Sequence, residues 1–147
     1  MTGMMRLRRP LEIVLIVIAV FLGLSAIPGG IALLAGLGAP PVEQLEGSVF
    51  ADFTIPGLAL LLLVGGSAAL ATVLLVRRSR FALLSTIAAG LVVMAFEFVE
   101  VLAFGSPPGP GRIMQILYFG VGVALVVASL GILLIDILSV PTAAEPK

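Results

Sequence analysis

The sequence predicts an all-α polytopic membrane protein, a single-domain bundle of four transmembrane helices with both termini on the cytoplasmic side. Three observations carry the prediction. Apolar residues fill 61% of the 147 positions and charged residues 11%, against about 25% charged in a soluble domain, and mean hydropathy is +1.29. Four long intervals are free, or nearly free, of charge. Arginines gather at two places, with two of those intervals between them.

The first interval lies between Glu12 and Glu43 and holds 30 residues. A spanning helix needs about 20 apolar residues, with a tolerated range of about 17–25, so a span at about 11–36 fits with length to spare. Pro28 removes a backbone donor and precedes Gly29 and Gly30, so a kink or an early end is expected near residue 28. No small-x-small cleavage site follows Leu24, and Pro10 and Glu12 stand where a twin-arginine signal wants apolar residues, so an uncleaved first span is expected. A polar loop over 37–55 leads to the second span, about 56–76, where Pro56 suits the first turn of a helix. Arg77, Arg78, Ser79 and Arg80 form a tight hairpin. The third interval has only 16 uncharged residues, 81–96, and reaches spanning length by continuing through Glu97 and Glu100 to Phe104. Glycines and prolines over 105–112 break the chain. The fourth span, about 113–138, precedes a short tail, 139–147, that begins near Pro141.

Orientation follows from basic residues in short loops. Arg6, Arg8, Arg9, Arg77, Arg78 and Arg80 fall on one side and Arg112 alone on the other. The arginine-rich side is therefore cytoplasmic, and a multi-pass protein of a bacterial inner membrane is expected.

Missing residue types limit the chemistry. Cysteine, histidine, tryptophan and asparagine do not occur, which excludes disulfides, Cys/His metal and haem sites, and histidine-based triads. Eight basic and eight acidic residues balance and leave no basic stripe for nucleic acid. No enzymatic activity and no cofactor is expected. Gly65-Gly66-Ser67 loosely resembles a nucleophile elbow but has no histidine to activate the serine. Gly120-Val121-Gly122 starts like a dinucleotide fingerprint and fails at the third glycine.

Because lipid gives helices no hydrophobic reason to associate, small residues that allow close approach must contribute. Candidates are Gly120, Ala124 and Ala128 in the fourth span, with Gly131 near the same face. The second span offers Gly65 and Ala69, then Ser67 and Ala71; the third offers Thr86 and Gly90, beside Ser85 and Ala89; the first offers Ala19 and Gly23. These stripes are expected to face neighbours within the bundle, and they also suit a membrane-protein partner or a homo-oligomer.

Glu97 and Glu100 are the carboxylates set well inside an apolar run, three residues apart and so on one helix face. With Arg112 and Gln115, one turn into the next span, they form the candidate proton or cation site. Intramembrane ionisable groups usually mark function. From a helix start near Phe81, however, Glu97 lies about 24 Å and Glu100 about 28 Å along, close to the far boundary of a core about 30 Å thick. That depth favours carboxylates that snorkel to the interface or bond to Arg112 and Gln115. Glu12 and Asp136 sit within reach of the arginine clusters and are expected to pair there. Tyr118 is expected to pack.

Leu45-Glu46-Gly47-Ser48-Val49-Phe50-Ala51-Asp52-Phe53-Thr54-Ile55-Pro56-Gly57-Leu58 resembles the signature L-x-G-S-x-F-x-D-F/Y-x-I-P-G-L of an uncharacterised family of small bacterial four-helix integral membrane proteins. Gln115 and Tyr118 resemble that family's Q-x-x-Y/F in the last span. The resemblance implies the topology and no activity. Where the family often has glutamine this chain has Glu100, so the resemblance assigns no essential carboxylate there. Physically the stretch reads as an interfacial cap: Val49, Phe50 and Phe53 dip toward lipid, and Asp52 faces the positive end of the second helix. The function expected from all this is a non-catalytic accessory, scaffold or subunit role in the bilayer. The alternative is an oligomeric proton- or cation-coupled carrier using Glu97 and Glu100.

Overall fold

A computed structural model describes residues 2–39, 41–106 and 108–139. Helix α1 runs Thr2–Leu34 and is followed by a single 3-10 turn, Val42–Leu45. Helices α2, Thr54–Val76, α3, Ala82–Phe104, and α4, Pro110–Leu138, complete the chain, and no strand occurs among the described residues. The apolar parts of the four helices hold 27, 23, 23 and 29 residues. At 1.5 Å per residue each is about 35 to 44 Å long, enough to cross a core about 30 Å thick. The protein is thus an all-α four-helix bundle built to span a membrane. The tail beyond Ser139, with Pro141, lies outside the described residues.

Adjacent helices in the chain are adjacent in space, and α4 closes the ring against α1. Leu15 and Leu22 of α1, Val64 of α2, Val93 of α3, and Leu125 and Ile132 of α4 meet in the centre with no exposed surface or almost none. Large apolar side chains cover the outside of every helix, among them Leu24, Leu62, Leu84 and Leu134. A bundle whose solvent is hydrocarbon has this pattern. At one end Arg8 bridges two acids, Glu12 at 3.0 Å and Asp136 at 3.2 Å. The expected pairing of both acids therefore runs through one arginine, and it ties the start of α1 to the end of α4. The α2–α3 hairpin turns at the same end, with Arg78 at φ 51° and the Arg80 guanidinium 4.6 Å from the centre of the Phe81 ring.

Helix α1 does not end near residue 28; it continues unbroken through Pro28 to Leu34. The physical reason lies in the glycines beyond the proline. A Cβ on Gly30 would sit 2.7 Å from the Leu61 backbone nitrogen and 2.8 Å from the Gly57 carbonyl oxygen. Gly30 therefore serves close packing that holds α1 and α2 together past the lost hydrogen bond. Across from it, α2 makes a π turn over Ala59–Gly65, which the sequence reading missed. Such turns insert a residue into the helical count and shift the facing of everything after it. Here the turn ends with Val64 and Gly65 buried, and a Cβ on Gly65 would meet Ile27 Cγ1 at 2.6 Å.

The small-residue stripes need correction on two helices. On α4 the close approach is at Gly122 and not at Gly120. A Cβ on Gly122 would lie 2.7 Å from the Gly90 carbonyl oxygen, and one on Gly90 would lie 2.7 Å from that of Gly122. Gly120 and Gly131 have open space around them, and Ala124 and Ala128 are half-buried. The buried face of α4 is Gln115, Gly122, Leu125, Ser129 and Ile132, a seam of alternating three- and four-residue steps. Gly120 lies about 160° around the helix from Gly122. On α2, Gly65 is buried but Ala69 is exposed, whereas Ala71 is buried. Thr86, Ala89 and Gly90 on α3, and Ala19 and Gly23 on α1, face inward.

Candidate functional site

Away from the Arg8 bridge, the bundle interior opens into a cavity of about 260 Å³ to which all four helices contribute. Ser25 and Gly29 come from α1, and Leu60 and Val64 from the π turn of α2. Helix α3 supplies Glu97 and Glu100, and α4 supplies Gln115 and Tyr118. The π turn and the proline-bearing stretch of α1 thus form one wall and the two carboxylates the other. Tyr118 packs, as expected, with its ring 6.2 Å from that of Phe21.

Glu97 is only 6% exposed, so it does not snorkel to the interface. Nor does it bond to Arg112. That guanidinium is exposed, and its Nε donates to Ser106 Oγ at 3.4 Å. Neither Glu97 nor Glu100 has an ion-pair partner among the described residues; both ion pairs lie at the Arg8 end. Gln115 is 9% exposed. Its Nε2 donates to the Gly105 carbonyl at 3.3 Å, while its Oε1 is buried without a donor. Of the four predicted site residues, the fold therefore gathers Glu97, Glu100 and Gln115 on one cavity and leaves Arg112 at the rim.

A wider space of about 660 Å³ adjoins this cavity at the end of the bundle, and Glu100, Gln115 and Phe96 line both. The segment between α1 and α2 roofs it. Phe50 and Phe53 do not dip toward lipid; they turn in on Phe104 at the end of α3, with ring centres 5.9 and 6.3 Å away. Only Val49, 91% exposed, points outward. The inward turn has local causes. Leu45 is buried, Ser48 Oγ accepts the Phe50 N–H at 3.2 Å, and Asp52 Oδ1 accepts the Thr54 N–H at 2.8 Å. That backbone donor, with the Thr54 hydroxyl, holds the Asp52 carboxyl below the usual carboxylate range. The Asp52–Thr54 bond ahead of α2 is therefore kept above that range and is lost as pH falls through the lowered value. In sequence, Phe104 carried no mark as the seat of the roof, since an aromatic ending an apolar span also suits the lipid interface.

No family model, curated protein or solved structure matches this chain.

Proposed function

We propose that this multi-pass protein works by binding without catalysis, holding a proton or a cation on Glu97 and Glu100 and exchanging it with the side of the membrane that the roofed end faces. The burial of Glu97 on an interior cavity, without a basic partner, carries the reading. A carboxylate kept only for structure would be matched by a cation or would reach water. Ionisable groups inside a membrane that do neither line ion or substrate paths. This observation moves the choice away from the accessory role that composition alone suggests. The test is uptake by protein reconstituted in vesicles. The unmodified chain takes up protons or a small cation, and Glu97→Gln inserts normally but takes up neither. Absence of uptake by the unmodified chain would end the reading.

The accessory or scaffold role keeps one specific support. Gly120 and Gly131 lie within about 20° on α4, both with open space around them, and a helix of a second copy or a partner fits against such a strip. Gly120→Leu would then change the assembly state without harming the fold.

The bacterial inner membrane, kinship with the four-helix proteins of the Leu45–Leu58 signature, and the orientation with the Arg8 end inside belong to the same proposal. With no native cysteine, orientation is directly measurable. Ser48→Cys and Ser106→Cys react with an impermeant maleimide in intact cells, and Ser79→Cys does not. Labelling at position 79 alone would invert the orientation.

A further inference from the structure

We infer that the roofed space is a binding site for a lipophilic organic cation, with its charge toward Glu100 and Glu97 and its apolar body under Phe50, Phe53 and Phe104. The inference rests on Glu97 being the exchange site and adds the class of ligand.

The floor asks for positive charge. Glu100 lies on the lining of the roofed space, and Glu97, on the adjoining cavity one turn deeper, is 6% exposed; neither has an ion-pair partner among the described residues. The second buried polar group there, Gln115, has spent an amide hydrogen on the Gly105 carbonyl and presents an unmatched oxygen. As carboxylates the two acids only accept, the Gln115 amide beside Glu100 is the one side-chain donor facing them, and the Gln115 oxygen adds a further acceptor, so a bound cation would balance the floor. The walls ask for something apolar and larger than a metal ion. About 660 Å³ falls within the roughly 300–1,000 Å³ of small-molecule sites. The roof is three phenylalanines, whose ring faces attract cations and repel anions. A hydrated inorganic ion would gain nothing from such walls, and a lipid acyl chain would gain nothing from the floor. Arg112, the one cation on the lining, is exposed at the rim and turned to Ser106, clear of the carboxylates.

Tetraphenylphosphonium and tetraphenylborate are matched in shape and opposite in charge, and neither titrates. Equilibrium dialysis of the full chain in lipid nanodiscs, against empty nanodiscs, measures specific binding of each. The expected result is saturable binding of the phosphonium at about one per chain and none of the borate. Glu100→Gln weakens it about tenfold, Glu100→Asp restores most of it, and Phe53→Ala weakens it about threefold. Phe53→Ala sits on the roof, away from the helix core, and keeps the test usable if Glu100→Gln does not fold. Saturable borate binding, or phosphonium binding indifferent to both Glu100→Gln and Phe53→Ala, would overturn the inference. So would proton or inorganic-cation uptake through Glu97 with no phosphonium binding, which leaves the exchange reading standing; loss of both uptake and binding removes that reading as well.

Discussion

Gly122→Leu should abolish the folded bundle, whereas Gly120→Leu, two residues away on the same helix, should be tolerated. At Gly122 the first added carbon would already be 2.5 Å from Met94 Cγ, 2.7 Å from the Gly90 carbonyl oxygen and 2.9 Å from Val93 Cγ1. Side chains can swing away, but the Gly90 carbonyl belongs to the α3 backbone and moves only if the helix moves. Overpacking a core that can adjust costs about 1–3 kcal/mol; separating two helices along their closest crossing goes beyond that. Gly90→Leu should fail in the same way, since the clash is reciprocal, with the Gly122 oxygen at 2.7 Å. Thermal melting followed by circular dichroism in detergent, with the elution profile as a check on assembly, measures both. Equal melting of Gly120→Leu and Gly122→Leu would mean that α4 is rotated from the position described here.

The second large effect is a separation of stability from activity at Glu97. Glu97→Gln keeps the size of the side chain and removes its capacity for charge. If Arg112 were its counter-ion, the change would strand a cation, and Arg112→Gln added to it would restore stability. With Arg112 turned to Ser106, no such rescue is expected. Glu97→Gln alone should melt at the same temperature as the parent or higher, by up to about 2 kcal/mol, because a buried amide costs less than an unmatched acid. Exchange should be lost altogether. A double-mutant cycle in Tm, run beside the uptake assay, reads both quantities. Destabilisation by Glu97→Gln that Arg112→Gln reverses would restore the structural role of the carboxylate.

The spans were legible because charge is intolerable in hydrocarbon: Arg77 and Arg112 fall within a turn of a helix end, while Glu12 lies inside α1 and Glu43 nine residues beyond it, so they bound the first span only loosely. The link from Arg8 to Asp136 was legible for the same reason, since acids at a boundary seek the basic residues gathered there. Rotation about each helix axis was not. In a soluble bundle the polar face of a helix declares which side is buried, but α4 is apolar on all sides, so Gly120 and Gly122 look equivalent in the text. On α2 the buried row from the end of the π turn onward is Val64, Ala68, Ala71 and Leu75, with Gly65 at its edge, so Ala69, one turn on from Gly65, falls outside it. For the site, Glu97 and Glu100 were found from carboxylate spacing and Gln115 from its place one turn into the fourth span. Depth along α3 misjudged Glu97, because distance from the interface says nothing about whether a side chain faces lipid or a neighbouring helix.

The closing contact of the ring joins α1 to α4, and α4 is made after the other three helices of the bundle. During synthesis, three helices must therefore wait in the membrane for the fourth. A water-soluble bundle in that position would expose its core and risk aggregation. Here the uncovered flanks of α1 and α3 meet acyl chains as apolar as the leucines that replace them, so the pause is thermodynamically mild. Glu97 is the exception, because until α4 arrives its carboxyl lacks one wall of its cavity. The arrival of Gln115 and the capture of Asp136 by Arg8 then complete the two ends of the same late step, so a chain cut before α4 would insert but leave its acid facing lipid, a natural mark for membrane quality control.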